Sequence, residues 1–237
     1  MNNLYTAEQV KAFEKNSFLK EGDDLCAMKE AAKQSVEILN KGYSTSEFLI
    51  LCGPGNNGGD GYFIGIGLSK LKNRVRFIDV LDDIKKSPLC EHAYNAAKGS
   101  EFINAKELKN ISTKTVVIDA IFGIGGRINL GSKLEEILSH CNKFESKVAI
   151  DVPTGLDSNT GEISQACFNA DKTITFIAYK LGQRISEGKN YCGKLILRDL
   201  GLAMDENVSP KVNELSFEDI KINIPKRIEN SHKGDHG

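Results

Sequence analysis

Three glycine-rich segments, each directly after a short apolar run, carry the side chains that could do chemistry. They are Gly53-Pro-Gly-Asn-Asn-Gly-Gly-Asp-Gly61, Asp119-Ala-Ile-Phe-Gly-Ile-Gly125 and Asp151-Val-Pro-Thr-Gly-Leu-Asp157. Glycine lets a backbone approach a phosphate closely, and the free N–H groups at the start of a following helix attract an anion. The side-chain oxygens of Asn57, Asp119 and Thr154 form a ligand set that suits a hard cation. The three segments therefore predict a site for a nucleotide-like ligand.

Two carboxyl groups in these segments are candidates for specific roles. Asp151 directly follows an apolar run and is the candidate for acid or base chemistry. Asp60 would repel a pyrophosphate, which favours it as an acceptor of hydrogen bonds from ribose hydroxyls or from its own loop. The simpler alternative is that residues 56–60 form a tight turn with an aspartate N-cap and that Asp151 only orders its own turn.

A nicotinamide-dependent oxidoreductase is a second interpretation of the first segment. Gly53-x-Gly55-x-x-Gly58 matches a dinucleotide-binding fingerprint, and Asp79 follows about 20 residues later, where a ribose-binding acid belongs. The sequence offers no separate substrate domain and no evident catalytic histidine or tyrosine constellation, which makes this interpretation the weaker one.

The elements that must position these segments follow the pattern of βαβ units, which is typical of a mostly parallel sheet. The predicted strands are 48–52, 75–80, 116–120, 148–151, 173–177 and 195–197, and the helices predicted between the earlier ones are 61–70, 90–97 and 133–141. Two helices are predicted before the first strand, one starting at a capping box, Thr6–Gln9, and one over about 24–39. In such a sheet, ligands bind at the carboxyl ends of the strands, which is where the three segments lie.

Composition excludes several classes of function. The 237 residues include 31 Lys and Arg and 32 Asp and Glu, and a net charge of −1 disfavours nucleic-acid binding and membrane binding. The six cysteines form no Cys-x-x-Cys pair, which gives zinc and redox motifs little support. A signal-peptide pattern and a long apolar run are not evident in the sequence, so a cytoplasmic protein is expected.

In order and spacing, the three segments resemble those of the NAD(P)H-hydrate epimerase family, the YjeF N-terminal domain. Residues 170–176, with Lys180 and Gly182, and residues 193–202 resemble the last strands of that domain. The resemblance covers about residues 5–205. It implies an α/β protein with a three-layer α/β/α, Rossmann-like fold, a mostly parallel central sheet and two N-terminal helices, with the epimerase domain spanning residues 1–222.

The resemblance also implies an activity and a site. The activity is interconversion of the R and S forms of hydrated NADH and NADPH, in which water has added to the nicotinamide ring at C6. Asp151 is the implied catalytic residue, Asn57, Asp119 and Thr154 are the implied ligands of a potassium ion, and a homodimer is the implied assembly. The implied substrate contacts are Asn56, Asn57, Gly58, Gly59, Asp60, Gly123, Ile124, Gly125, Gly126, Arg127, Ile128, Asn129 and Asp151.

Three matters stay open at this stage. The epimerisation can run through loss of the C6 hydroxyl to an iminium or through ring opening to an aldehyde. The segment from Gly126 to Gly131 is about one residue shorter than is usual in the family, which leaves open which of its residues contact the substrate. The alternative functions are a non-catalytic nucleotide-binding or scaffold module and, less favoured, an NAD-dependent oxidoreductase.

The end of the chain suggests a second activity. The segment Ser231-His-Lys-Gly-Asp-His-Gly237 resembles the opening of a ribokinase-like dehydratase domain. Residues 223–237 are therefore expected to be a linker and the start of a truncated ADP/ATP-dependent NAD(P)HX dehydratase domain.

Overall fold

The structure is a computed structural model that describes residues 2–17, 23–43, 46–126, 128–202, 208–215 and 217–223. Arg127 and nearly all of the expected linker and dehydratase start, residues 224–237, lie outside the described residues. Within the described ranges, no helix combines the length and the apolar composition that crossing a membrane requires.

The described residues form strands and helices that alternate along most of the chain. The strands are β1 (Asn2–Tyr5), β2 (Glu47–Cys52), β3 (Arg74–Asp79), β4 (Glu101–Phe102), β5 (Val116–Ala120), β6 (Ser146–Ile150), β7 (Lys172–Phe176), β8 (Tyr179–Lys180), β9 (Lys194–Arg198) and β10 (Val212–Glu214). The helices are α1 (Ala7–Ser17), α2 (Asp23–Gly42), α3 (Asn56–Lys70), α4 (Pro88–Ala97), α5 (Ser132–Cys141), α6 (Gly188–Tyr191) and α7 (Phe217–Asn223), with 3-10 helices at Ala105–Asn110 and Leu181–Gln183.

Seven strands form the central sheet, in the order β4-β3-β2-β5-β6-β7-β9. All of its strand pairs are parallel, and Ile50 of β2 lies opposite Phe77 of β3 and Ile118 of β5. Because the strands are parallel, their carboxyl ends meet at one edge. The six predicted strands are all present, with ends shifted by no more than two residues.

Helices cover both faces of this sheet. Along β2, Ile50 belongs to the core beneath α2 and α3, whereas its neighbours Leu49 and Leu51 belong to the core beneath α5. Successive strand residues point to opposite faces, so a strand that is apolar throughout is buried on both. The fold is therefore the predicted three-layer α/β/α, Rossmann-like arrangement.

A short strand, β1, comes before the two N-terminal helices, so the prediction that the helices precede the first strand holds only for the central sheet. Strand β1 pairs with β8 in parallel and with β10 antiparallel, which makes a separate three-stranded sheet. Four residues are too few to show a period-2 pattern, and the pairing partners lie far away in sequence. The predicted capping box is present, with reciprocal hydrogen bonds between Thr6 and Gln9 of 2.9 and 3.3 Å.

Helix α3 packs unusually close to the sheet, and Gly65 permits this approach. A Cβ atom at Gly65 would lie 2.1 Å from Cζ of the buried Phe77 and 2.9 Å from Cδ1 of Ile50. The helix therefore needs glycine at this position, even though alanine favours a helix interior by about 1 kcal/mol.

We expect Gly65→Ala to lower the free energy of unfolding by about 1–3 kcal/mol, because overpacking against Phe77 outweighs the gain in helix propensity. Urea denaturation followed by circular dichroism measures this as a lower midpoint at unchanged slope. The control is Gly99→Ala, where an added Cβ meets nothing within 4 Å and the change should stay within about 0.5 kcal/mol. A Gly65→Ala variant as stable as the parent would contradict the close-packing argument.

Candidate active site at the carboxyl edge of the sheet

A cavity of about 380 Å³ opens at the carboxyl edge of the central sheet. This volume lies within the usual range for small-molecule sites. Its wall is formed by α1, α2, the start of α3 and the segments that follow β5, β6 and β7. The polar side chains on the wall are those of Lys11, Glu14, Asp24, Asn56, Asn57, Asp60 and Asp151.

Most of the predicted substrate contacts come together here. Asn56, Asn57, Asp60, Gly123, Ile124, Gly125 and Asp151 line the cavity. Gly58 and Gly59 are buried in the first turn of α3, and the N–H of Gly126 donates to the carbonyl of Gly123 at 2.9 Å. Ile128 and Asn129 are exposed and do not line the cavity.

The predicted loop at residues 56–60 is the first turn of a helix. Helix α3 begins at Asn56, five residues earlier than predicted, and Gly55 occupies its N-cap. The interpretation of Asp60 as an N-cap is therefore wrong. A Cβ at Gly58 would lie 1.8 Å from the carbonyl oxygen of Gly53, so glycine is needed for the helix to start against this turn. This start points the free N–H groups of the first turn toward the edge of the sheet, where an anion can bind.

Asp119 and Thr154 form a buried polar pair between β5 and the segment after β6. The Asp119 carboxylate accepts hydrogen bonds from the Thr154 hydroxyl at 2.8 Å, the Thr154 N–H at 2.7 Å and the Ile121 N–H at 3.1 Å. Asp119 is fully buried, and this burial raises its pKa to about 6, although the three hydrogen bonds oppose the rise. A cation nearby would offset the unfavourable burial of this negative charge.

Asn57 carries a buried oxygen without a partner. Its amide nitrogen donates to the carbonyl of Ile150, the last residue of β6, at 3.2 Å. Its amide oxygen, Oδ1, is buried and has no hydrogen-bond partner among the residues that the structure describes. A buried acceptor left unpaired costs about 1–3 kcal/mol unless an ion, a water molecule or a ligand satisfies it.

Asp151 is held in place by a buried lysine that sequence reasoning gave no role. The ammonium of Lys180 donates to Oδ1 of Asp151, to the Thr175 hydroxyl at 2.8 Å and to the Phe176 carbonyl at 2.9 Å. Lys180 is 1% exposed. The other carboxylate oxygen, Oδ2, accepts from the Ile124 N–H at 3.1 Å. A buried ammonium ion needs this full set of acceptors and a counter-ion.

The backbone of Asp151 is also constrained. Its φ angle is 66°, in the left-handed region that non-glycine residues seldom adopt, and Gln183 donates to its carbonyl at 2.8 Å. Such a conformation persists only where the surroundings hold it in place, and it is common at functional sites. The turn after β6 thus presents the carboxylate to the cavity in one orientation.

Helix α1 adds a further carboxylate, Glu14, to the carboxyl groups of Asp60 and Asp151. Burial, followed by the charges of Asp151 and Glu14, raises the pKa of Asp60 well above its usual value. The pKa of Glu14 is raised by burial and by Asp151, against the opposing charges of Lys180 and Lys11. Sequence reasoning missed Lys11, Glu14 and Lys180, because their distance along the chain from the glycine-rich segments hides their proximity.

Asp79, the acid that supported an oxidoreductase, is engaged elsewhere. Its Oδ2 accepts from the ammonium of Lys86 at 2.5 Å, and Asp79 does not line the cavity. The ammonium of Lys86 lies 4.6 Å from the centre of the Tyr94 ring. The carboxylate is thus paired with a lysine rather than free for a ribose, which further weakens the oxidoreductase interpretation.

The chain is similar to known proteins in both sequence and fold. The family model described as YjeF-related protein N-terminus matches residues 25–182. The NAD(P)H-hydrate epimerase of Weissella koreensis is 30% identical over 205 residues, which are 85% of this chain and 93% of that protein. The crystal structure of the yeast protein ynu0 superposes with a TM-score of 0.67 at 18% identity, covering 90% of this chain and 97% of that one, which shows a shared fold.

Longer relatives are matched as well. The bifunctional NAD(P)H-hydrate repair enzyme Nnr of Escherichia coli is 32% identical over 219 residues, which are 89% of this chain but 42% of that protein. A bifunctional repair enzyme of Leishmania infantum is 33% identical over 187 residues, and the match spans 33% of its length. The chain thus covers less than half of these bifunctional relatives. The matched family model and the match over nearly the full length of the Weissella koreensis epimerase show that the chain belongs to the NAD(P)H-hydrate epimerase family, whose domain is the YjeF-related N-terminus.

Proposed function

We propose that this chain interconverts the R and S forms of hydrated NADH and NADPH in the cavity at the carboxyl edge of the sheet. The observation that carries the proposal is the Asp151 carboxylate, held at the cavity wall by the buried ammonium of Lys180. The names of the relatives from Weissella koreensis and Escherichia coli support the choice of substrate.

The residues divide the work between holding the substrate and moving protons. The N–H groups at the start of α3 and those of Gly123 and Gly125 bind the pyrophosphate. Apolar side chains such as Met28 and Phe122 line the cavity and exclude water from the ring. Asp151 exchanges a proton with the water that leaves or joins C6. Holding the ring beside this carboxylate lowers the entropic cost of the reaction.

We also propose that Asn57, Asp119 and Thr154 hold a potassium ion. The unpartnered amide oxygen of Asn57 and the buried carboxylate of Asp119 are the observations that fit it. Oxygen ligands with a single carboxylate suit a weakly charged, hard cation. Across the described residues, no cluster of three or more His, Cys, Asp or Glu side chains could hold a metal ion. The proposed set combines one carboxylate with an amide and a hydroxyl oxygen. When bound, the ion supplies positive charge next to the phosphate-binding loops.

Three further properties belong to the same proposal. The longer bifunctional relatives support a dehydratase domain fused behind residue 222 in the complete protein. The family resemblance supports a homodimer. A cytoplasmic location is the third property proposed.

We expect the purified chain to convert the R form of hydrated NADH to the S form well above the spontaneous rate. Chiral chromatography or NMR measures the conversion, and a reaction without protein gives the spontaneous rate. A folded protein without any acceleration would contradict the proposed activity. Titration with intact NAD would then separate an oxidoreductase, which binds it tightly, from a scaffold module.

We expect Asp151→Asn to reduce kcat by at least about 10²-fold and to destabilise the fold, because it leaves the Lys180 ammonium buried without its anion. The double variant Asp151→Asn with Lys180→Met removes both charges. It should recover part of the stability in urea denaturation while its activity stays low. Near-normal turnover by a folded double variant would show that Asp151 has no chemical role.

We expect potassium to raise the melting temperature. A concentration of about ten times Kd contributes about 1.4 kcal/mol, which corresponds to roughly 3–6 °C for a chain of this length. Asp119→Asn should abolish the shift, whereas Asp82→Asn, at an exposed carboxylate paired with Lys133, should keep it. The reference melting temperature is measured with tetramethylammonium in place of potassium, at equal ionic strength. If both variants keep the shift, Asp119 is not a ligand.

A further inference from the structure

We propose that Asp60 is a second catalytic carboxyl group of this site, which donates the proton to the departing C6 hydroxyl while Asp151 receives the proton of the incoming water. This inference rests on the proposed epimerase function and deepens it. It assigns the two halves of the proton transfer to two different residues.

The positions of the two carboxyl groups support this division. Asp60 lies on α3 and Asp151 lies in the turn after β6, and both line the same cavity. Both oxygens of Asp151 are occupied by protein donors, from Lys180 and Thr175 on one side and Ile124 on the other. By contrast, no hydrogen bond or ion pair found within the described part of the chain engages the carboxyl group of Asp60. It is therefore free to hydrogen-bond to a ligand.

The charges around Asp60 favour this residue, rather than Asp151, as the proton donor. Helix α1 contributes Lys11 and Glu14 to this cavity, α2 contributes Asp24, and the turn after β6 contributes Asp151. The buried cation Lys180 is already paired with Asp151. Burial and the negative charges of Asp151 and Glu14 raise the pKa of Asp60, so this group keeps its proton to higher pH than an ordinary aspartate does. A carboxyl group with a raised pKa beside an ion-paired carboxylate is the arrangement that acid and base catalysis requires.

The chemical step balances without an oxidant or a reductant. The C6–O bond breaks as the hydroxyl takes the proton of Asp60 and leaves as water, and the lone pair of the ring nitrogen forms the C=N bond of an iminium. A water molecule then adds to C6 on the opposite face, and its proton passes to Asp151. One proton has moved from Asp60 to Asp151, and exchange with solvent restores both groups.

Glu14 acts as a positioning residue in this scheme, through its charge. It lies on α1, outside residues 25–182 that match the family model, and it lines the cavity. Its carboxylate is one of the two charges that raise the pKa of Asp60. A residue that acts through its charge in this way changes the pH dependence of the reaction, which a measurement of substrate binding at one pH does not detect.

The first test is Asp60→Asn, which keeps the shape and a hydrogen-bond donor but cannot give up a proton. The expected result is a loss in kcat of about 10²-fold or more with little change in KM, in a variant whose circular dichroism is that of the parent. A variant that loses activity only through KM would reduce Asp60 to a binding residue and overturn the inference. An inactive parent protein would instead overturn the proposed function itself.

The second test is the pH profile of kcat/KM. The alkaline limb reports loss of the Asp60 proton, and Glu14→Gln removes a charge that raises the pKa of this group. The limb should therefore move to lower pH in Glu14→Gln and stay in place in Glu136→Gln, which neutralises an exposed glutamate of α5. An unmoved limb in a folded, active Glu14→Gln variant would contradict the role of Glu14 and the assignment of the limb to Asp60.

A third measurement needs no variant. Departure of the hydroxyl as water means that epimerisation in water enriched in oxygen-18 places the heavy isotope at C6 of the product. Mass spectrometry of the S form after a single turnover measures this incorporation. Retention of the original oxygen would show that the ring opens to the aldehyde instead, and no proton donor to a departing hydroxyl would then be needed.

Discussion

A lysine ammonium ion that is removed from water must receive an anion and enough acceptors for its three protons, and Lys180 receives both at the carboxyl edge of the sheet. Its acceptors come from Asp151, Thr175 and Phe176. Satisfying a buried charge in this way leaves little freedom to any of the groups involved. The same contacts that stabilise Lys180 therefore fix the orientation of Asp151, the residue on which the proposed chemistry depends.

The small three-stranded sheet contributes to this constraint from the ends of the described chain. Strand β8, which carries Lys180, pairs with β1, and β1 pairs with β10. Arg184, just beyond Gln183, donates to Glu214 of β10 at 2.6 Å. Strand β10, which follows the central sheet along the chain, is thus tied to β8, the strand that carries the buried lysine. Helix α1, which follows β1 directly, brings Lys11 and Glu14 to the cavity.

Much of the fold and part of the site could be predicted from sequence, because they depend on local patterns. Continuous apolar runs such as 116–120 indicate strands buried on both faces. Because Asp119 and Asp151 lie at the ends of such runs, the sequence predicts both at the carboxyl edge of the sheet. The start of α3 was predicted too late, because asparagine and glycine at residues 56–59 have low helix propensity. Close packing of Gly58 against Gly53 outweighs that propensity in the folded chain.

The sequence by itself determined that the chain forms a parallel α/β sheet and that glycine-rich segments with amide, carboxylate and hydroxyl groups follow three of its strands. Only the tertiary structure decided which carboxyl group is paired with a lysine and which is not. Lys180 reaches Asp151 across 29 positions, and Glu14 shares a cavity with Asp60 from a helix far away in sequence. The reason is physical: burial and the charges of spatial neighbours set the protonation of a carboxyl group, and neither can be read from spacing along the chain.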